Sequence, residues 1–201
     1  MDIRKLQENL ESRGFKVSYF DKKEDGAQYI CDQVTGQKVG FGGSVTLDQI
    51  GMYEKLSENN EVLWHWRIPE GQTGADVLKA ARSADVYLSS VNGIAETGEI
   101  VNIDNTGNRV AATLYGHKKV YLVAGVNKIT PDLDSAIYRS RNIAAPPNAR
   151  RLGKKTPCAV KADKCYDCKS PDRICRGLVV LWEAPVGCEY EVVLIGEELG
   201  Y

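Results

Sequence analysis

The sequence predicts an α/β protein built on an open, mostly parallel sheet with helices on both faces. Apolar runs of strand length alternate along the chain with segments of helical apolar spacing. Two runs, Asp85–Val91 (DVYLSSV) and Lys119–Ala124 (KVYLVA), are nearly continuous in apolar residues, as strands covered on both faces are. The connections are short, the form that right-handed crossovers between parallel strands take. The chain has 201 residues, 43% of them hydrophobic, which suits one domain spanning residues 1–201.

In chain order, residues 1–13 place Ile3, Leu6 and Leu10 at helical spacing, and Gly14 follows where a glycine ends a helix. Phe15 to Phe20 alternates like a strand, and Ala27 to Val34 reads as a helix stopped at Thr35-Gly36. Lys38 to Phe41 is a short strand that enters the turn Gly42-Gly43-Ser44, and Val45 to Leu56 supplies the apolar positions of the next helix. Val62 to Trp66 is a strand, Gly74 to Ala81 a helix and Asp85 to Val91 a buried strand. After the strand at Lys119, Asp132 to Arg141 is a helix, and Leu178 to Trp182 and Glu191 to Ile195 are late strands.

Charge and hydropathy exclude several classes. With 26 Lys/Arg against 27 Asp/Glu the formal charge is −1, which argues against a general grip on nucleic acid or anionic lipid. No apolar run approaches the ~18 residues of a membrane span, and the charged, amphipathic start lacks the apolar stretch of an export signal. The expected location is cytoplasmic.

One segment breaks the rhythm. From Arg139 to Arg176 the chain carries 11 Lys/Arg and 3 Asp/Glu, against 15 and 24 elsewhere, with four prolines and no clear period. It reads as a long irregular insertion centred on residues 145–177, and such loops are uncommon unless they are functional. Within it lie Cys158, Cys165, Cys168 and Cys175, spaced six, two and six residues apart. In a reducing compartment, clustered cysteines point to metal or redox work rather than a disulfide scaffold. Four thiolates suit an iron-sulfur cluster, of the 4Fe-4S kind, or tetrahedral zinc; zinc ribbons show two close pairs, whereas only Cys165 and Cys168 form one here. A dithiol switch at Cys165 and Cys168, or a buried set without chemistry, are the plainer alternatives. Nearby Lys161, Lys164, Lys169, Arg173 and Arg176 would favour thiolates, or simply solvate a loop. Cys31 and Cys188 stand alone, as buried apolar residues do.

Two polar stretches are candidates for a ligand site. Gly40 to Thr46 turns from strand to helix, so Gly42, Gly43, Ser44 and Thr46 can cradle a carboxylate or phosphate, although it matches neither the dinucleotide nor the lysine-bearing phosphate motif. Packing alone can also demand such a turn. Asn92 to Asn105 follows a buried strand, and ligands of open α/β sheets sit beyond the carboxyl ends of strands. There Glu96, Glu99 and Asp104 are candidate acid, base or nucleophile, and Asn92, Asn102 and Asn105 candidate orienting groups; the plainer alternative is a hairpin with turn-forming Asn and Gly. His65, between Trp64 and Trp66, and His117 begin no triad.

Three motifs carry a family resemblance: GFGGSVTL with Ile50-Gly51, ETGEIVNID at 96–104, and GNRVA at 107–111. In these the chain resembles the LUD (lactate-utilisation) domain family over roughly residues 1–145 and the final strands. The resemblance implies the α/β fold shared by glucosamine-phosphate deaminase, ribose-phosphate isomerase and coenzyme A transferases. It also implies an association with bacterial L-lactate oxidation. The last motif adds Arg109 to the ligand-binding candidates. The four-cysteine segment departs from plain short members.

These readings lead to an iron-sulfur protein that transfers electrons, with a redox partner protein, or uses its cluster on a small organic acid or other small anion. The alternatives are a metal-independent enzyme on a sugar phosphate or acyl thioester using Glu96 or Asp104, and a zinc-stapled, non-catalytic partner of an oxidoreductase complex.

Overall fold

The computed structural model describes residues 2–201; Met1, at the start of the first expected helix, lies outside the described residues. The strands of the main sheet are β1 (Lys16–Phe20), β2 (Lys38–Phe41), β3 (Glu61–Leu63), β4 (Val86–Ser90), β7 (Lys119–Gly125) and β10 (Glu189–Ile195), ordered β1-β10-β7-β4-β2-β3. Every neighbouring pair is parallel, so all carboxyl ends reach the same edge. A second sheet, ordered β8-β5-β6-β9, joins β5 (Gly93–Ala95), β6 (Ile100–Asp104), β8 (Ile129–Thr130) and β9 (Gly177–Leu181). Its β5–β6 and β6–β9 pairs are antiparallel. The sequence reading did not foresee this sheet. Residues 92–105 do form the hairpin that was their plainer alternative, and they sit within it.

The period-2 alternation of the main strands sorts two cores. Val39 and Phe41, Val86 and Leu88, Tyr121 and Val123, and Val193 and Ile195 point to one face. There they meet α2 (Lys23–Gln33), α3 (Val45–Gln49) and α4 (Met52–Ser57) through Ala27, Ile30, Leu47, Met52 and Leu56. Tyr87, Val120, Leu122, Val192 and Leu194 point the other way, onto Leu6 and Leu10 of α1 (Ile3–Ser12) and onto Ile94 and Ile100 of the second sheet. Burying each such leucine contributes about 1.5–3 kcal/mol, so the spacing of Leu6 and Leu10 suffices to dock α1. Asp2 caps that helix by accepting from the Lys5 amide at 3.2 Å. The second face is therefore covered by a small sheet as well as by helices.

Gly40 lies between Val39 and Phe41 and faces the other helix, α5 (Gly74–Ala81). A Cβ there would stand 2.8 Å from the Ala81 carbonyl oxygen, so glycine permits the close approach of strand and helix. A capping box between Thr73 and Asp76 starts α5 where the sequence places it.

Three elements differ from expectation. The helix expected over 45–56 is two, divided at Gly51, whose φ of 66° no β-branched residue would adopt readily. The strand expected to run to Trp66 ends at Leu63, and Trp64–Arg67 turns back through an Arg67 amide to Trp64 carbonyl bond of 2.8 Å. The segment expected to be irregular from Arg139 is helical for much of its length. α7 (Leu133–Arg139) continues through a π-helical turn (Ser140–Ala144) into α8 (Ala145–Arg151), and α9 (Pro157–Lys161) follows. Pro146 and Pro147 sit in the first turn of α8, where a missing N–H costs least. Residues 162–176 are irregular.

Candidate functional site

The parallel sheet brings the segments after β2, β4 and β7 to one edge, and β6 leads a fourth there. Between them lies an open cavity of about 240 Å³, lined by Gly43–Thr46, His65 and Trp66, Ser90–Asn92, Ile103–Thr106, Asn108, Arg109 and Lys128. Asn148 and Arg151 of α8, Ile174 and Tyr201 complete the wall. This is the crevice beyond strand carboxyl ends that open α/β sheets use for ligands.

Lys128 closes a 3-10 turn (Val126–Lys128) directly after β7 and is 3% exposed. Its Nζ donates to Thr46 Oγ1 at 2.8 Å and to Ser90 Oγ at 2.7 Å. Desolvation, then the charges of Arg139 and Arg109, push its amine well below the usual lysine value. Arg109, in α6 (Asn108–Ala112), is also buried and donates to the Ser90 and Ile103 carbonyls and to Asn92 and Asn102. Arg139 of α7 donates to the carbonyls of Asn127 (2.8 Å) and Asn92 and to the main-chain oxygen of Tyr201 (3.2 Å). Among the described residues no Asp or Glu side chain forms a salt bridge with any of these three basic groups; amide and main-chain oxygens and hydroxyls surround them.

Of the residues chosen from the sequence, Gly43, Ser44, Thr46, Asn92, Asp104 and Arg109 line the cavity. Ser44 caps α3 through its Oγ and the Leu47 amide, 3.1 Å. Gly42 stands behind Arg109: a Cβ would come within 3.0 Å of the Arg109 Cγ and Cδ. Asn102 is buried and serves Arg109 rather than the cavity. Asp104 spends its carboxylate on the first turn of α6, accepting from the Arg109 amide at 3.0 Å and Val110 at 3.2 Å, with Asn105 at 2.8 Å. Glu96 lies outside the cavity at the hairpin tip, where its carbonyl accepts from Asn9 at 2.6 Å; Glu99 pairs with Arg13 at 2.6 Å.

The sequence reading missed Lys128, Arg139 and Arg151 and set His65 aside. A rule that marks residues just beyond a strand's carboxyl end would have found Lys128, three residues after Gly125. His65 lines the cavity, its Nδ1 is buried without a partner among the described residues, and burial pushes its pKa down despite the Asp104 charge. Gly43 makes room for it: a Cβ would be 3.2 Å from His65 Cε1. Arg151 lies 4.7 Å over the Trp66 ring, with Trp64 stacked beneath.

The four-cysteine segment forms the neighbouring wall. Cys165 Sγ accepts from the Asp167 amide at 3.3 Å and lies 3.5 Å from Arg141 Nη2, and Asp167 holds a left-handed φ of 44° to make that turn. Arg173 binds the carbonyls of Cys168 (3.0 Å) and Cys175 (2.9 Å), and Cys158 Sγ is 3.2 Å from Thr156 Oγ1. Among the described residues, no three His, Cys, Asp or Glu side chains gather around one point as ligands of a metal ion.

Together these features define an α/β protein with a cationic cavity at the carboxyl edge of a parallel sheet. The chain belongs to the LUD domain family, whose family model matches residues 3–195. Its structure is similar to that of a DUF162 family protein from Deinococcus radiodurans, with a TM-score of 0.54, 12% identity and 96% of each chain covered, which shows a shared fold. No curated protein matches it in sequence. No helix among the described residues is long and apolar enough to cross a membrane.

Proposed function

We propose that the cavity binds a small organic carboxylate and that the chain acts in the oxidative metabolism of such acids. The observation that carries this reading is the burial of the Arg109 and Arg139 guanidinium groups beside Lys128 with no Asp or Glu salt-bridge partner. Burying charge without a counter-ion is costly, and an anionic ligand offsets that cost. The volume of about 240 Å³ is below the ~300–1,000 Å³ of drug-sized sites, so it favours a ligand of a few heavy atoms. Arg109 and Arg139 supply field, because their N–H groups are largely engaged; Asn92 and the mouth residue Arg151 supply direct contacts, and Lys128 Nζ stands at the cavity wall beside the bound ligand. Isothermal titration with L-lactate, pyruvate, acetate and inorganic phosphate tests this. Saturable binding of a carboxylate that Lys128→Met weakens supports the reading; heat only with phosphate, or none at all, overturns it.

The cysteine segment supports a redox role for the same reading. Guanidinium and amide donors lie at Cys165, and Arg173 holds the main chain at Cys168 and Cys175, so basic groups gather along the segment that carries the four sulfurs. Four cysteines with a single close pair, Cys165 and Cys168, match an iron-sulfur cluster, in which each thiolate holds a different iron, better than a zinc site built from two close pairs. When bound, a cluster would supply one-electron chemistry. Cys158, Cys165, Cys168 and Cys175 would hold it, beside the cavity wall at Ile174. Protein purified without air should carry iron and acid-labile sulfide that Cys165→Ser diminishes; colourless, iron-free protein overturns this part. A further protein would then be needed to pass electrons on.

A further inference from the structure

Lys128 is placed for covalent chemistry as well as for charge. Its Nζ has two protein acceptors, Thr46 Oγ1 and Ser90 Oγ, both hydroxyls. Their own protons are directed onward: Ser90 Oγ donates to Thr46 Oγ1 at 3.2 Å, and Thr46 Oγ1 to the Leu199 carbonyl at 3.3 Å. Both hydroxyls therefore receive from the lysine. A neutral amine has two N–H protons, and these two acceptors use both, leaving the lone pair free; an ammonium would carry a third proton with no acceptor among the described residues. The side chain is 3% exposed and forms part of the cavity wall.

From this arrangement we infer that Lys128 is a nucleophile that forms an imine with a small anionic ligand bearing an aldehyde or ketone, such as a 2-oxo acid. This rests on the carboxylate-binding reading and names the reaction open to that site. The lone pair of Nζ forms the new C–N bond at the carbonyl carbon. The carbonyl oxygen leaves as water, taking the two amine protons, so the step is amine plus carbonyl giving imine plus water, with no oxidant or reductant. Ser90 and Thr46 sit where those protons start and can relay them. Arg109 and Arg139 serve two ends: their charge holds the ligand carboxylate near the amine and, with burial, lowers the amine's pKa, which favours the nucleophilic free base. The bare alternative, a lysine that only pairs with the carboxylate as an ammonium, predicts binding without a bond.

The test separates the two. The full chain is incubated with pyruvate and sodium borohydride, and intact mass and peptide mapping locate any reduced adduct. The expected result is one reduced pyruvyl group on Lys128, prevented by prior addition of excess acetate, and absent in Lys128→Arg and Lys128→Met. If pyruvate binds by calorimetry but no adduct forms on Lys128, the imine is overturned while the carboxylate site stands. If pyruvate neither binds nor is trapped, both fail. Adducts spread over surface lysines and unchanged in Lys128→Arg likewise overturn the assignment. Circular dichroism melting of both variants establishes that loss of trapping is not loss of fold.

Discussion

The Arg176 amide donates to the Asp104 carbonyl at 2.9 Å, and the Arg176 Nε to Asn105 Oδ1 at 3.1 Å. These bonds join the irregular cysteine segment to the loop that forms one rim of the cavity. Ile174, two residues earlier, is 8% exposed and serves both: it packs with Ala149, Ala159 and Cys158 and lines the cavity. The Ile174 side chain is therefore the one link between Cys158 and the cavity that these contacts define.

Ile174→Ala should weaken carboxylate binding several-fold and lower stability by about 2 kcal/mol, the low end for such truncations because its cluster is small. Titration calorimetry and urea denaturation measure the two effects. Unchanged binding would separate the segment from the cavity.

Lys128→Met should reduce carboxylate affinity by about 10- to 100-fold, the loss of a charge-assisted contact or of the bond described above. It should not lower the melting temperature, since it replaces a buried amine that is costly to protonate with an apolar chain of similar length. A marked fall in stability would mean that the lysine holds the fold rather than a ligand.

The same lysine sets a pH dependence. Its native pKa lies well below the unfolded value near ~10.4, so between the two values the unfolded chain binds the extra proton. Stability then rises with pH across that window and levels off above the unfolded pKa. The urea midpoint of the wild type minus that of Lys128→Met should rise as the pH is raised toward the unfolded lysine value near ~10.4. A flat difference would contradict the depressed pKa.

Glu191 shifts stability in the same direction, in the acid range. It is fully buried between Lys119 Nζ (3.0 Å) and Lys16 Nζ (3.3 Å), with Tyr29 donating at 2.7 Å and Ser18 at 2.8 Å. Burial would raise its pKa, but these donors bring it below the usual carboxylate value. Its stabilisation is present above the unfolded pKa of about 4.3 and is lost as pH falls through the native one. Glu191→Gln should cost about 2 kcal/mol near neutral pH and make acid unfolding less steep, as seen by tryptophan fluorescence.

Cys31 and Cys188 both have thiol pKa values raised by burial. Iodoacetamide at neutral pH should therefore alkylate them more slowly than it does after urea unfolding, by about tenfold or more. Mass spectrometry of timed digests reads the rates; equal rates folded and unfolded would contradict the burial.

The framework of this protein was legible because apolar periodicity reports burial directly. DVYLSSV and KVYLVA became β4 and β7 at the centre of the sheet, and Gly74–Ala81 became α5 to the residue. Second-sheet strands as short as Ile129–Thr130 leave no period to read. Helicity over 140–151 was hidden because Pro146 and Pro147 read as breakers, although in the first turn of a helix they are well tolerated. At the site, the glycine turn, Asn92 and Arg109 carried local signals. Lys128 and Arg139 did not, since a buried cation and a surface one are the same letter until the fold surrounds it. Asp104 has a structural task that its letter does not announce: its carboxylate, at the cavity wall, accepts from the first turn of α6.

The uniform direction of the six central strands places the two charged groupings of this molecule at opposite poles. Lys119 and Glu191 mark where β7 and β10 begin, while Lys128 and Tyr201 lie past where those strands finish. Substitutions at the two poles share no partners, so their free energies should add. A laboratory seeking a hardier variant can strengthen the starting edge and leave the cavity's selectivity untouched.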